Sequence, residues 1–144
     1  MIYGVSPSLV PAPADWPANA RLCGQWLAPK PDRTPPPGLA TFLDRGEAPI
    51  YIGFGSITGF DGPRLLRALI EAMNGRRALF RPGWSGTDPQ ALPDNFFAIR
   101  DTPHDWLFPR TGAVIHHGGS GTSRSAARAG APSVVVPFAG DQFF

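Results

Sequence analysis

Ala113-Val-Ile-His-His-Gly-Gly-Ser-Gly-Thr122 runs from an apolar stretch through glycines into a polar, alanine-rich segment. Ala113 to Ile115 read as a buried strand, the glycines as a turn, and Thr122 to Ala129 as a helix closed by Gly130 and stopped by Pro132. A strand that breaks into such a turn and reopens as a helix is the local layout of a phosphate-cradling loop. Gly118, Gly119 and Gly121 permit the positive φ and the close backbone approach that a Cβ prevents. The first N–H groups of the helix have no intrahelical partner, and the helix dipole adds partial positive charge there. Ser120 and Thr122 supply hydroxyls, Thr122 doubling as the predicted N-cap, and His116 and His117 can offer ring N–H groups to phosphate oxygens. By pattern alone the corner also fits a plain tight turn. The two adjacent histidines favour the anion site, because open α/β sheets bind ligands beyond the carboxyl ends of their strands.

Working outward, Ala48-Pro-Ile-Tyr-Ile-Gly-Phe54 is a second buried strand, and it too ends in a glycine and a serine, Gly55 and Ser56. A helix follows, with Asp61 or Gly62 near its cap, Pro63 early and Asn74-Gly75 as its stop. Leu65, Leu66, Leu69, Ile70 and Met73 give it one apolar face. Further strands are predicted at 77–81, 96–99 and 133–136, and a short helix at 39–45. Strands alternating with helices imply an α/β fold, a Rossmann-like parallel sheet flanked by helices. Such a sheet can gather Ser56, the loop from His116 to Thr122 and the pair Asp141-Gln142 around one crevice.

At 144 residues the chain is long enough for a true core. A formal charge of +2 from scattered arginines suits small anions and gives no footprint for nucleic acid. The single cysteine, Cys23, excludes a disulfide framework and a cysteine metal site. No apolar run reaches membrane-span length and the first residues lack a signal-peptide pattern, so a cytoplasmic location is expected. Half of the 18 prolines precede residue 38. That density forbids helix and interrupts sheet ladders, so residues 1–38 are expected to be an interdomain linker or strap and residues 39–144 the binding domain. Within the strap, Asp15-Trp-Pro17 and Leu22-Cys-Gly-Gln-Trp-Leu27 carry apolar side chains that suggest docking.

Pro103-His-Asp-Trp-Leu-Phe-Pro109, Ala113 to Thr122, Arg128-Ala-Gly-Ala-Pro132 and Val135-Val-Pro-Phe-Ala-Gly-Asp-Gln142 together resemble the nucleotide-sugar signature of GT-B fold glycosyltransferases. The resemblance is to the C-terminal donor-binding domain in the UDP-glycosyltransferase superfamily, and within it to sterol, macrolide and glycopeptide glycosyltransferases. Pro49 to Ser56 resembles that domain's first strand, and the segment around Asp15-Trp-Pro17 and Gly24-Gln-Trp26 resembles the interdomain link.

The resemblance implies that His117 bonds the donor diphosphate, with Gly119, Ser120, Gly121 and Thr122 as its cradle and Gly55 and Ser56 facing it from the neighbouring loop. His116 lies beside the phosphates. Asp141 and Gln142 would bond hydroxyls of the sugar, and His104 falls on the nucleobase side. The donor would be a UDP- or dTDP-hexose, with no further cofactor and no metal. Where plant members stack Trp on the base this chain has Ile99, and where they place Glu on the ribose it has Ser125, which leaves the choice of nucleotide open.

The same resemblance implies an inverting transfer of a hexose to a hydroxyl of a lipid-like acceptor such as a sterol or polyketide. The catalytic base, a His supported by an Asp, belongs to an N-terminal acceptor domain, so no catalytic residue is expected in this chain and the chain alone is expected to be inactive. Further helices are expected beyond Phe144. A soluble donor-binding subunit of a split glycosyltransferase is the alternative, its acceptor domain supplied in trans by a membrane-bound chain. An apolar face left by the missing elements would favour a homodimer. A dinucleotide-binding oxidoreductase is weighed on Gly119-Ser-Gly121, but the third glycine of that fingerprint would fall at Arg124.

Overall fold

The computed structural model describes residues 1–26, 36–83 and 92–143, with Asp141 described without its side chain. Leu27, counted above among the docked residues, and Pro29, Pro31 and Pro35 lie outside the described residues. The chain divides into two compact units, Met1–Pro31 and Asp32–Phe144, where the sequence suggested a change at residue 38.

The first unit closes on itself instead of running as an open strap. Strands β1 (Ile2–Tyr3) and β2 (Arg21–Leu22) pair in parallel. Neither strand contains proline, so the short ladder escapes the expected interruption. The prolines between them sit at turns, where Trp16 N–H donates to Pro13 O at 3.2 Å and Ala20 N–H to Pro17 O at 2.8 Å. Trp16 lies against Tyr3, ring centroids 4.5 Å apart, and Trp26 donates its indole N–H to Cys23 Sγ at 3.2 Å. Each tryptophan thus meets a residue of its own unit, and Trp26 stays exposed.

The second unit is a five-stranded parallel sheet in the order β5-β4-β3-β6-β7. Its strands are β3 (Ile50–Gly53), β4 (Ala78–Arg81), β5 (Phe96–Ala98), β6 (Ala113–His116) and β7 (Ser133–Val135). The predicted alternation is thus realised, with β6 carried one residue further than expected, to His116. Helix α1 (Leu39–Asp44) precedes the sheet, and α2 (Gly62–Met73) joins β3 to β4. Asp61 caps α2 by accepting from Arg64 N–H at 2.9 Å, and Asn74, at φ 45°, ends it. Leu66, Leu69 and Met73 bury the face of α2 read from the periodicity, packing with Ile52, Phe54, Ala78, Phe80 and Phe96. A second cluster gathers Tyr51, Leu79 and Val114 with Leu39, Leu107, Phe108 and Ala126, which come from α1, α3 (His104–Leu107), the 3-10 turn after it and α4 (Ser120–Ala129).

Alternation along β3 sends Tyr51 to one cluster and Ile52 to the other, so the sheet is covered on both faces. The first, second and third strands of the sheet run outward one way from β3; the fourth and fifth return on its other side. The order reverses between β3 and β6. In a doubly wound sheet that switch point opens a crevice at the carboxyl ends of the two strands.

Candidate donor-binding site

Gly53 and His116 are register partners at the ends of β3 and β6, so the two glycine-rich loops leave the sheet side by side. They touch at once. Gly55, at φ 63°, lies so near His117 that an added Cβ would stand 2.9 Å from Cε1 of the ring. On the other side Gly119 is closer still to His117 Nε2. The imidazole is held between two glycines, and neither position has room for a side chain. Gly83, after β4, meets the carbonyl oxygen of Gly55 in the same way.

Gly118 takes φ 91°, and a Cβ there would meet Val135 Cγ1 at 3.0 Å and Gln142 O at 3.2 Å. The loop after β6 is therefore also seated on the 3-10 turn Gly140–Phe143. Gln142 folds inward: its Oε1 accepts from Phe138 N–H at 2.8 Å and Ala139 N–H at 3.2 Å. That leaves the amide NH2 as the group it can offer outward. Asp141 sits in the same turn.

Helix α4 opens at Ser120, two residues before the predicted start, with Gly119 as its N-cap and no side-chain cap. Thr122 is therefore not the cap: its N–H donates to Gly119 O at 3.1 Å, as does that of Ser123 at 3.0 Å. The glycine run enters the first helical turn directly, and the exposed Ser120 and Gly121 carry its leading N–H groups. Ser123, which the sequence reading did not single out, ties the corner by donating Oγ–H to Gly118 O or Gly119 O, at 3.2 and 3.1 Å. Ser56 is exposed beside Gly55.

His116 is fully buried, and its Nδ1 accepts the Gly118 N–H at 3.1 Å. It acts on the loop from beneath, through the backbone of Gly118, and its Nε2 has no hydrogen-bond partner among the described residues. Burial holds the His116 ring below its ordinary value, with the charge of His117 adding to the effect; burial does the same to His117. Both rings are neutral donors or acceptors near pH 7, and the fixed positive potential at this corner comes from the start of α4.

His104 stands apart from that corner. It begins α3, stacks on Phe108 at 4.4 Å, and its Nε2 lies 3.5 Å from the Tyr51 hydroxyl. Burial first, and then Arg81, push its pKa down to about 4. Ile99 is buried in the core and Ser125 donates its hydroxyl to Gly121 O at 3.0 Å. Among the described residues no set of three or more His, Cys, Asp or Glu is placed to hold a metal ion, and no helix is long and apolar enough to cross a membrane.

The chain is 42% identical over 158 aligned residues to the sterol 3-beta-glucosyltransferase of Aspergillus clavatus, a match that takes in 99% of this chain. Residues 80–144 match the family described as the C-terminal domain of erythromycin biosynthesis protein CIII-like proteins. By sequence the chain is a relative of glycosyltransferases, and its fold is that of GT-B members. It spans 11% of the length of that fungal member.

The GT-B fold is shared with the solved structure of spinosyn forosaminyltransferase SpnP, at a TM-score of 0.69 and 20% identity over 98% of this chain and 36% of that one. It is shared too with Arabidopsis thaliana UGT89C1 complexed with UDP, at a TM-score of 0.66 and 19% identity over 85% of this chain and 34% of that one.

Proposed function

We propose that this glycosyltransferase domain binds the diphosphate of a nucleotide-sugar donor at the crossing of the Gly55 and His117 loops, in front of α4. The observation that carries this reading is the His117 ring clamped by Gly55 and Gly119 beside an uncapped helix start, at the switch point of the sheet. A diphosphate set there meets the N–H groups of Ser120 and Gly121, the hydroxyls of Ser56, Ser120 and Thr122, and an N–H of His117. His116 supports from below. Asp141 and the Gln142 amide are assigned to hydroxyls of the sugar, and His104 to the nucleobase side.

The donor is a UDP- or dTDP-hexose. UGT89C1 was solved with UDP, and the fungal relatives are named as sterol glucosyltransferases. We accordingly assign an inverting transfer of a hexose to a hydroxyl of a lipid-like acceptor such as a sterol. Charge grows on the departing nucleoside diphosphate in such a displacement, and preorganised N–H dipoles favour that charge without reorganising. The proton of the acceptor hydroxyl goes to a base on an acceptor domain, joined to this one or brought by a separate subunit. The chain by itself should bind donor and transfer nothing.

Calorimetric titration with UDP, dTDP and a nicotinamide dinucleotide, repeated on His117→Ala, tests the reading. Binding of a nucleoside diphosphate that is lost in the variant is expected. Preference for the nicotinamide dinucleotide, or transfer of sugar to an added sterol by the chain alone, overturns it.

A further inference from the structure

Beneath the crossing loops lies a largely buried polar cluster, of which only His104 is assigned a donor contact. Arg81, Gly53 and His116 are side by side in register at the ends of β4, β3 and β6. Alternation places them on the same face as Leu79, Tyr51 and Val114, two residues earlier, which share one core cluster. Gly53 contributes no side chain to this row. The Tyr51 hydroxyl takes the room instead, and a Cβ on Gly53 would stand 2.5 Å from it. A phenol thus fills the place where β3 ends and the Gly55 loop begins.

The direction of hydrogen bonding in the cluster follows from donor chemistry. The Arg81 guanidinium, paired with Asp101 at 3.4 Å, adds a positive charge beside Tyr51 and His104. The Tyr51 hydroxyl faces His104 Nε2, 3.5 Å away at the long end of the hydrogen-bonding range, and a neutral imidazole can offer that nitrogen as an acceptor. His104 must in that case carry its own proton on Nδ1. Its ring is fixed by Phe108, which also meets Tyr51 edge-on at 4.9 Å.

We propose that Tyr51 is a positioning residue of the donor site: donating its hydroxyl proton to His104, it ties the end of β3 to α3 and so sets the Gly55 loop against His117. The role rests on the donor-binding reading. Without the hydroxyl, β3 loses the contact that fixes its last residue, and the two loops lose their common floor.

The test uses the full chain. Nitrogen-15 NMR of the histidine rings should find His104 as the Nδ1–H tautomer, and Tyr51→Phe should lose that fixed tautomer. Calorimetry should show UDP affinity falling about tenfold in Tyr51→Phe, with an unchanged far-ultraviolet spectrum. Should that variant not fold, His104→Gln, which keeps an acceptor, should bind inorganic pyrophosphate, which has no nucleobase for residue 104 to touch, more tightly than His104→Leu. An Nε2–H tautomer for His104, equal UDP affinity in Tyr51→Phe and the parent chain, or equal affinity in the two His104 variants overturns the role. A parent chain that binds neither UDP nor dTDP overturns the donor-binding reading itself, whatever the tautomer.

Discussion

Gly55 and His117 meet across the switch point of the sheet, with the glycine's Cα turned at the ring so that a Cβ would lie 2.9 Å from Cε1. The contact joins the loop after β3 to the loop after β6, whose residues Gly55 and His117 are 62 apart in sequence but follow adjacent strand ends. Both loops depend on it: His117 keeps its orientation because Gly55 and Gly119 close on either side.

Gly55→Ala should therefore damage binding more than folding. Alanine at φ 63° costs roughly 1–2 kcal/mol of stability, and the imidazole must swing away. UDP affinity should drop by at least about tenfold, read by calorimetry beside a thermal melt. A variant that melts lower yet binds normally would separate Gly55 from the anion site.

Acid should destabilise this fold through its histidines. His104 is held near 4 mainly by burial and then by Arg81, and burial lowers His116 and His117 as well. Between those values and the unfolded value of about 6.5 the unfolded chain binds more protons, so stability rises with pH. The contribution is complete above about pH 6.5 and is lost as the pH falls toward 4. His104 alone accounts for up to about 3 kcal/mol. Urea unfolding between about pH 7.5 and 4.5 should show the decline, and His104→Gln should flatten it. Parallel curves for the two proteins would remove His104 from this account.

The strand-turn-helix at Ala113 to Ala129 could be read in the sequence because each part obeys a local rule: an apolar run, glycines, then an alanine-rich helix ended by Gly130. The alternating strands gave the parallel sheet by the same local logic, and α2 announced its caps in Asp61 and Asn74. Less legible were properties that depend on what lies opposite. Helix α4 begins at Ser120 because Ser123 and the Gly119 carbonyl close the corner, which no propensity at Thr122 reveals. His116 and His117 look equivalent in sequence, yet alternation along β6 buries the first under the sheet end while the second enters the loop. Tyr51 was passed over as one more strand residue. The signal was present in Tyr51-Ile-Gly53, a large side chain and an absent one on the same face.

That pairing predicts coupling between Gly53 and Tyr51. Gly53→Ala puts a methyl 2.5 Å from the hydroxyl and 2.8 Å from Cζ, a steric conflict inside a closed core that should cost on the order of 1–3 kcal/mol. Tyr51→Phe removes the nearer atom only. The double variant should be less destabilised than the sum of the single ones, by at least about 0.5 kcal/mol, in urea unfolding. Strict additivity would mean that β3 shifts at its end and the two side chains never compete.

Gly121 separates stability from binding in the opposite sense. It is the second residue of α4, is exposed, and an added Cβ would meet nothing within 4 Å. Alanine there should stabilise the chain by about 0.5–1 kcal/mol, since glycine loses more backbone freedom than alanine on entering a helix. The empty space that makes the substitution harmless to the fold is the space assigned to the diphosphate, and the methyl would hold phosphate oxygens off the leading N–H groups. Gly121→Ala is thus expected to raise the melting temperature while weakening UDP binding severalfold. A rise in both would place the anion elsewhere on the sheet end, whereas a fall in both would show that α4 needs a glycine at its start for its own folding.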